Sequence, residues 1–170
     1  DSHAHFLHWA MAQEQVQLGG CRSLDELLET LADFAAEHPF PAGGWYRGLG
    51  WTAENLRGAA PTRHDLDAVF PNVPVILWRA CEHVAAVNTA ALEAAGITRD
   101  TRVERGTVEL GMDGEPDGIL KEAAVELVER CLPPMSDEDI TRLLHAYGPL
   151  AASFGLTEIH SDDLAVFSFD

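Results

Sequence analysis

The stretch DSHAHFLH occupies positions 1–8 and brings His3, His5 and His8 close together directly behind Asp1. Side chains two apart on a strand point to the same face, so a strand here would project His3 and His5 together and direct His8 elsewhere. Two such imidazoles suit zinc, iron or nickel, and Asp1 can accept a hydrogen bond from an imidazole N–H. The spacing also arises by chance or in a tag remnant, so the remaining sequence has to decide.

Composition narrows the class of protein. The 170 residues are 46% hydrophobic and 23% charged, which is typical of a folded globular domain. The net charge of −17 provides no basic patch for phosphates, so we expect no nucleic-acid partner and no membrane partner. Three widely spaced cysteines give no disulfide framework and no zinc-binding pair, and no apolar run is long enough to span a membrane. These features predict a cytoplasmic location.

Strand-like and helix-like segments alternate along the chain, which predicts a mixed α/β fold. The predicted strands cover 16–18, 43–51, 73–80 and 156–160, with two more on either side of a turn at 112–118. The predicted helices cover 23–39, 61–71, 83–96, 121–134 and 136–155.

Capping and breaking residues set the predicted limits of these helices. Ser23 with Glu26 forms a capping-box pattern, and Thr62 has Asp65 at the same spacing. We expect Pro39 to end the first of these helices and Pro149 to kink or divide the last one.

DSHAHF resembles the first-strand metal motif of the amidohydrolase superfamily, a group of metal-dependent hydrolases on (β/α)8 barrels. Four later segments resemble, in the same order, the amidohydrolase 3 branch that includes N-substituted formamide deformylase. They are PTRHDLDAVFPNVPVIL at 61–77, EHVAAVNTAALEAAGI at 82–97, DGEPDGILKEAA at 113–124 and ASFGLTEIHSDD at 152–163. Together, the five segments lie in the same order as in the family and cover nearly the whole chain.

The order of these segments implies a domain organisation. By this resemblance, residues 1–8 end barrel strand one, residues 9–135 form an inserted α/β cap region, and residues 136–170 form barrel helix one and strand two. A complete barrel needs about 250 residues. We therefore expect this chain to be part of a longer enzyme.

The resemblance also implies an activity. His3 and His5 would be ligands of a divalent metal, most simply zinc, in a hydrolase of non-peptide carbon–nitrogen bonds. A metal-bound hydroxide would attack the carbonyl of a small-molecule amide substrate. The remaining ligands and the catalytic aspartate would lie outside the chain. We therefore expect no catalytic residue here, no turnover by the chain alone, and weak or no metal binding by two imidazoles.

His83 is a candidate substrate-lining residue by the same resemblance, and Trp51 is a second candidate because an aromatic wall suits an apolar amide substituent. Each has a structural alternative, since a histidine entering a helix can cap it and a tryptophan is often part of a core. The sequence also departs from the family pattern near both residues, at Thr52, Glu54, Glu82 and Ala86.

Several other polar residues receive structural rather than catalytic interpretations. We expect Lys121 to be a surface lysine near a helix start rather than a bridging ligand, and Glu122 to favour that helix N-terminus. Asn88 is interpreted as a structural hydrogen-bonder inside a helix. His160 and Asp162 are expected to contact the metal ligands rather than to bind the metal themselves.

An alternative hypothesis involves neither catalysis nor metal binding. Severed barrel strands expose edges and apolar faces, which favour self-association. On this view the chain is a non-catalytic α/β module that forms a homo-oligomer and binds no metal.

Overall fold

The computed structural model describes residues 1–38 and 44–163, so the predicted helix stop at Pro39 lies outside the described residues. The chain divides into two compact units. The first unit combines Asp1–Gln15 with Pro134–Asp170, and the second is Val16–Pro133. Helices and strands alternate, which confirms the mixed α/β fold class. Within the described ranges, no helix combines the length and apolar character needed to cross a bilayer.

The described elements follow the chain in this order: α1 (Phe6–Gln13), β1 (Val16–Gln17), α2 (Leu24–Glu37), β2 (Tyr46–Trp51), α3 (Arg63–Val69), β3 (Val75–Arg79), β4 (Val84–Val87), α4 (Thr89–Ala94), β5 (Gly106–Leu110), β6 (Pro116–Glu122), α5 (Val125–Glu129) and α6 (Asp137–Ser153).

One mixed sheet organises the second unit, with strand order β1-β2-β3-β4-β6-β5. The pairs β1–β2 and β2–β3 are parallel, whereas β3–β4, β4–β6 and β5–β6 are antiparallel. The buried run on β3 explains why this strand is central. Val75 and Leu77 belong to one apolar cluster, and Ile76 belongs to the other.

Because successive strand residues face opposite sides, the two clusters cover the two faces of the sheet. The first cluster takes Leu27 and Leu31 from α2 and Leu66 from α3. The second takes Leu92 from α4 and Val128 from α5. Coverage of both faces is typical of sheets with parallel strands.

The N-cap side chain begins four of the described helices, α2, α3, α4 and α6. The Thr62 hydroxyl accepts from the Asp65 N–H, and the Asp65 carboxylate accepts in return from the Thr62 N–H, as predicted. Ser23 caps α2 through the Glu26 N–H, but the expected full capping box is wrong, because Glu26 accepts from the Arg22 N–H instead.

The predicted helix over 83–96 is wrong in its first half. Val84–Val87 is strand β4, paired with both β3 and β6, and the helix begins only after Asn88. Asn88 is therefore the N-cap of α4 rather than a residue inside the helix. The short run VAAV is apolar throughout, as in strands buried on both faces, and such a run has no periodicity that separates strand from helix.

Two other predicted helices differ in extent. Lys121 and Glu122 end strand β6, and α5 covers only Val125–Glu129, so neither side chain lies at a helix start. Helix α6 continues through Pro149, which does not divide it. Helix α1 was not predicted from the sequence.

The first unit packs α1 against α6. Its apolar cluster has Leu7, Ala10 and Leu143 as buried members, with partly buried side chains around them. Arg142 on α6 also forms an ion pair with Glu14, which follows α1. This cluster is much smaller than either cluster of the second unit.

Candidate metal-binding segment

The histidine-bearing segment pairs in parallel with a segment near the end of the described chain. Asp1 donates through its backbone nitrogen to the Glu158 carbonyl (2.7 Å) and accepts from the His160 N–H (2.9 Å). Ala4 donates to the His160 carbonyl (3.0 Å) and accepts from the Asp162 N–H (2.8 Å). The predicted strand over 156–160 is therefore an extended segment, with an isolated parallel bridge between Ala4 and Ser161.

The pairing contains an irregularity. These hydrogen bonds place Asp1 opposite Ile159 and Ala4 opposite Ser161, so three residue steps on one segment oppose two on the other. An extra residue of this kind is a β-bulge, which re-aims the side chains around it.

His3 and His5 project together from this bulged segment. Their ring centroids lie 5.3 Å apart with perpendicular planes, and both side chains are exposed. His8 lies in α1 instead. The prediction that His3 and His5 share a side agrees with this geometry, whereas their role as ligands stays a prediction.

Asp163 lies directly behind His5. Only 7% of its surface is exposed. Its Oδ2 accepts from the Leu7 N–H (2.8 Å) and from the Ser161 hydroxyl. Its Oδ1 is buried without a hydrogen-bond partner and lies 3.9 Å from His5 Nδ1.

The side chains of Ser161 and Asp163 cap helix α1. His5 is the N-cap residue but makes no side-chain capping bond. The Ser161 hydroxyl accepts from the Phe6 N–H (2.9 Å), and Asp163 accepts from Leu7. The first turn of α1 is thus satisfied by residues more than 150 positions away, which is an unusual source for N-cap oxygens.

The environment of Asp163 keeps its carboxyl ionised. Burial alone raises its pKa, but the hydrogen bonds from Ser161 and Leu7, the nearby backbone N–H of His8 and the nearby His5 more than offset burial, so the pKa lies below its ordinary value. A negative charge therefore faces the His5 ring at neutral pH.

The donor set fits an imidazole-binding metal but is incomplete. His3 and His5 offer ring nitrogens from adjacent, exposed side chains, and the buried carboxylate behind His5 is typical of the groups that orient metal-bound histidines. Across residues 1–38 and 44–163, no group of three or more metal-binding side chains comes together. Two imidazoles leave most of a zinc coordination shell open.

The other predicted polar neighbours lie elsewhere. Asp1 accepts from the His3 backbone N–H (3.2 Å), not from an imidazole as expected. His160 pairs with Glu158 through Nε2 and Oε1 (2.9 Å). Asp162 has an exposed side chain and contributes its backbone N–H to the strand pairing.

His83 lies just before β4 in the second unit. Its Nδ1 is 3.0 Å from Glu122 Oε2, and both side chains are exposed. The hydrogen bond to Glu122, together with the charges of Glu122 and Glu82, raises the pKa of His83 above its ordinary value. Glu82 and Glu122 adopt positive φ angles of 60° and 53°, in the left-handed region that favours glycine. The expected interaction of Glu122 with a helix N-terminus is wrong, since Glu122 ends a strand and pairs with His83.

Trp51 lies in the core of the second unit. It is 2% exposed, and its indole N–H donates to the Leu77 carbonyl (2.9 Å). This placement favours the core-packing alternative, and a role in lining a substrate site stays a prediction. Lys121 forms an ion pair with Glu109 across β5 and β6.

Asn88 is a structural hydrogen-bonder, as predicted. It is fully buried, and its Oδ1 accepts from the N–H groups of Val75 and Ala91. Its Nδ2 donates to the carbonyls of Phe70 and Val73. One side chain thereby joins β3, the loop before it and the start of α4.

Sequence reasoning named His160 and Asp162 but missed Ser161 and Asp163. The signal was present in strand periodicity. If Ser161 faces the start of α1, Asp163 two residues later faces the same side. The hydroxyl–carboxylate pair then reaches the helix that follows the histidines.

An apolar groove adjoins His5 in the first unit. Its volume is about 420 Å³. Its walls are mainly apolar and include Phe6, Trp9, Phe154, Leu156 and Ile159.

The fold is similar to that of metal-dependent hydrolases. An uncharacterized metal-dependent hydrolase from Pyrococcus furiosus superposes with a TM-score of 0.63 at 26% identity, over 95% of this chain and 30% of that one. One from Pyrococcus horikoshii gives 0.63 at 29% identity, over 88% and 28%. Metal-dependent hydrolases are thus the class of protein that the structure resembles.

The family follows from the sequence. The chain belongs to the amidohydrolase family, whose profile matches residues 1–169. A Bacillus subtilis protein named as an amidohydrolase, YtcJ, is 36% identical over 98% of this chain and 32% of its own length. N-substituted formamide deformylase of Arthrobacter pascens is 36% identical over 75% of this chain and 24% of its own. The chain thus spans about a third or less of the length of these relatives.

Proposed function

We propose that this chain is part of a metal-dependent amidohydrolase that cleaves carbon–nitrogen bonds of small-molecule amides other than peptides. The observation that carries the proposal is the adjacency of the His3 and His5 rings on a segment fixed by parallel pairing with residues 158–162. Family membership supports hydrolase chemistry. The printed name of the Arthrobacter relative supports an amide substrate.

His3 and His5 would hold the metal, most simply zinc. When bound, a divalent metal polarises a substrate carbonyl and lowers the pKa of a coordinated water. The chain's own contribution is geometric. The bulge at the start of the parallel pairing sets the directions of the two rings, and the capped first turn of α1 fixes the backbone that follows them.

We further propose that the first unit is the beginning of a (β/α)8 barrel and that the second unit is inserted in its first βα loop. Such loops build the active sites of barrel enzymes. His83, which is exposed, would contact substrate through its ring, whereas the buried Trp51 would shape the site through packing. The unpaired state of Cys21, Cys81 and Cys131 supports a reducing compartment such as the cytoplasm.

Substitution of the two histidines in a longer protein that carries this chain tests the proposal. We expect His3→Ala and His5→Ala each to remove bound metal, measured by elemental analysis, and to abolish hydrolysis of an N-substituted formamide. His8→Ala is the matched control, because His8 is exposed on α1 and should leave metal content and hydrolysis unchanged. Full metal content in the His3 and His5 variants would contradict the proposal.

The isolated 170 residues provide a second test. We expect no turnover by this chain with added Zn²⁺, because two imidazoles do not complete a catalytic site. Zinc-dependent amide hydrolysis by the isolated chain would show that the missing ligands are placed wrongly.

A specific observation favours a second candidate function, self-association without metal. Four large apolar side chains of the first unit are exposed: Leu144, Leu150, Phe154 and Leu156. Sedimentation velocity should show concentration-dependent association that Phe154→Glu reduces. Met112→Glu is the control, because Met112 is fully exposed in the β5–β6 turn of the other unit. A strictly monomeric chain would exclude this candidate.

A further inference from the structure

We infer that Asp163 is a positioning residue that fixes the tautomer and orientation of the His5 ring, so that Nε2 faces the metal. The inference rests on the proposed function only in taking His5 as a ligand. Its geometric basis lies entirely within the first unit.

The two oxygens of Asp163 have different surroundings. Oδ2 accepts hydrogen bonds from the Leu7 N–H and the Ser161 hydroxyl, and these bonds hold the carboxylate in place. Oδ1 is buried and has no hydrogen-bond partner. A buried carboxylate oxygen without a partner is uncommon in folded proteins and calls for a specific explanation.

His5 supplies the missing donor. Its Nδ1 lies 3.9 Å from Oδ1, close enough for charge attraction but beyond hydrogen-bond length. In the inferred arrangement, rotation of the exposed ring closes this gap and Nδ1–H donates to Oδ1. In a neutral imidazole one nitrogen carries the proton, so donation from Nδ1 leaves the lone pair of Nε2 free for a metal.

Each member of the network behind Asp163 has two roles. The Ser161 hydroxyl donates to Asp163 and accepts from the Phe6 N–H. Asp163 accepts from the Leu7 N–H and so helps to cap α1. The carboxylate is therefore tied both to the strand that pairs with Ala4 and to the helix that follows His5, and it cannot turn away without uncapping α1.

The tautomer of His5 in the metal-free chain tests this inference without any enzyme activity. Long-range ¹H–¹⁵N NMR of the histidine rings at about pH 8.5, where imidazoles are neutral, distinguishes the two tautomers. We expect His5 to be mainly the Nδ1–H form, and Asp163→Asn to shift it towards the Nε2–H form. The matched control is Asp162→Asn, which makes the same charge change at an exposed neighbour and should leave His5 unchanged.

Folding is checked in the same spectra. The asparagine oxygen can still accept from Leu7, so the α1 amide signals should persist in the Asp163→Asn chain. Ser161→Ala gives a second variant, which loosens the cap but keeps the carboxylate and should largely preserve the Nδ1–H form. An Nε2–H form in the unmodified chain, or the same tautomer with and without the carboxylate, would overturn the inference.

Zn²⁺ affinity separates this inference from the proposed function. In a longer protein that carries this chain, titration calorimetry with Zn²⁺ alone should show that Asp163→Asn weakens binding about 10- to 100-fold relative to Asp162→Asn. A tautomer shift with unchanged affinity would overturn the positioning role. Absence of Zn²⁺ binding by the unmodified longer protein would count against His3 and His5 as ligands, while the tautomer result would still decide whether Asp163 orients the ring.

Discussion

The two units differ in how fully their described residues pack. In the second unit both faces of the sheet are covered, and glycines such as Gly106 and Gly118 fit against backbone atoms less than 3 Å from where a Cβ would lie. In the first unit, Gly148 and Gly155 face open space, and four large apolar side chains are exposed. The more completely packed unit is therefore the second, whereas the candidate metal ligands lie in the first.

This difference explains where strain is tolerated. The non-glycine residues with positive φ among the described ranges are Arg57, Glu82, Arg105 and Glu122, all in the second unit. Such conformations persist only where the surrounding structure determines them. The first unit instead relies on a few long-range hydrogen bonds around its histidines.

The largest effect is expected at Gly118, which has a φ of 101°. A Cβ there would lie 2.4 Å from the Val87 carbonyl oxygen and 2.8 Å from the Arg63 nitrogen. Gly118→Ala should lower the free energy of unfolding by about 3–5 kcal/mol, measured by urea denaturation. Gly155→Ala, also at positive φ but in open space, should cost only about 1 kcal/mol. Equal costs would break the comparison between the units.

The second largest loss of stability is expected on substitution of Asn88. Asn88→Ala leaves buried partners on Val75 and Phe70 without their hydrogen bonds, so we expect a loss of about 2–4 kcal/mol in unfolding free energy. Asn72→Ala, at an exposed position, should change stability by less than about 0.5 kcal/mol. A loss at Asn88 no greater than that at Asn72 would show that the buried network does not hold the second unit together.

Glu82 offers a gain of stability. Glycine tolerates the φ of 60° that strains Glu82, so Glu82→Gly should stabilise the second unit by about 1 kcal/mol in thermal unfolding. Glu104→Gly makes the same chemical change at an exposed residue outside the left-handed region and should destabilise by about 0.5–1 kcal/mol. Destabilisation by both variants would mean that the turn before His83 is not strained.

The smallest effect concerns pH. The pKa of His83 is raised by its hydrogen bond to Glu122, so the pair stabilises fully below the ordinary histidine pKa of about 6.5. That stabilisation is lost as pH rises through the raised folded value. In an NMR titration, Glu122→Gln should return the pKa of His83 towards its ordinary value, whereas Glu126→Gln should not. An unchanged pKa in the Glu122 variant would show that the pair does not form in solution.

The sequence was sufficient for the features that depend on local pattern. The mixed fold class, the helix over Leu24–Glu37, the reciprocal cap at Thr62 and the turn between β5 and β6 follow from periodicity and turn chemistry. The spacing of His3 and His5 likewise predicted two rings on one side.

The features that sequence missed depend on distant partners. Val84–Val87 is a strand because β3 and β6 lie on either side of it, and nothing local distinguishes it from a helix. Helix α1 begins with no local cap, because its capping oxygens come from Ser161 and Asp163. Such pairings depend on tertiary placement, which a single sequence does not specify.

The pairing of residues 1–4 with residues 158–162 has a consequence for biosynthesis. On the ribosome His3 and His5 emerge before the segment and the capping side chains that hold them, which are about 155 residues behind. At about 5–20 residues per second, the histidines wait roughly 8–30 s for these partners. The intervening residues 16–133 can complete their own sheet in that interval. The candidate metal-binding segment therefore takes its final form only after residues 158–163 have been made, long after its own residues have left the ribosome.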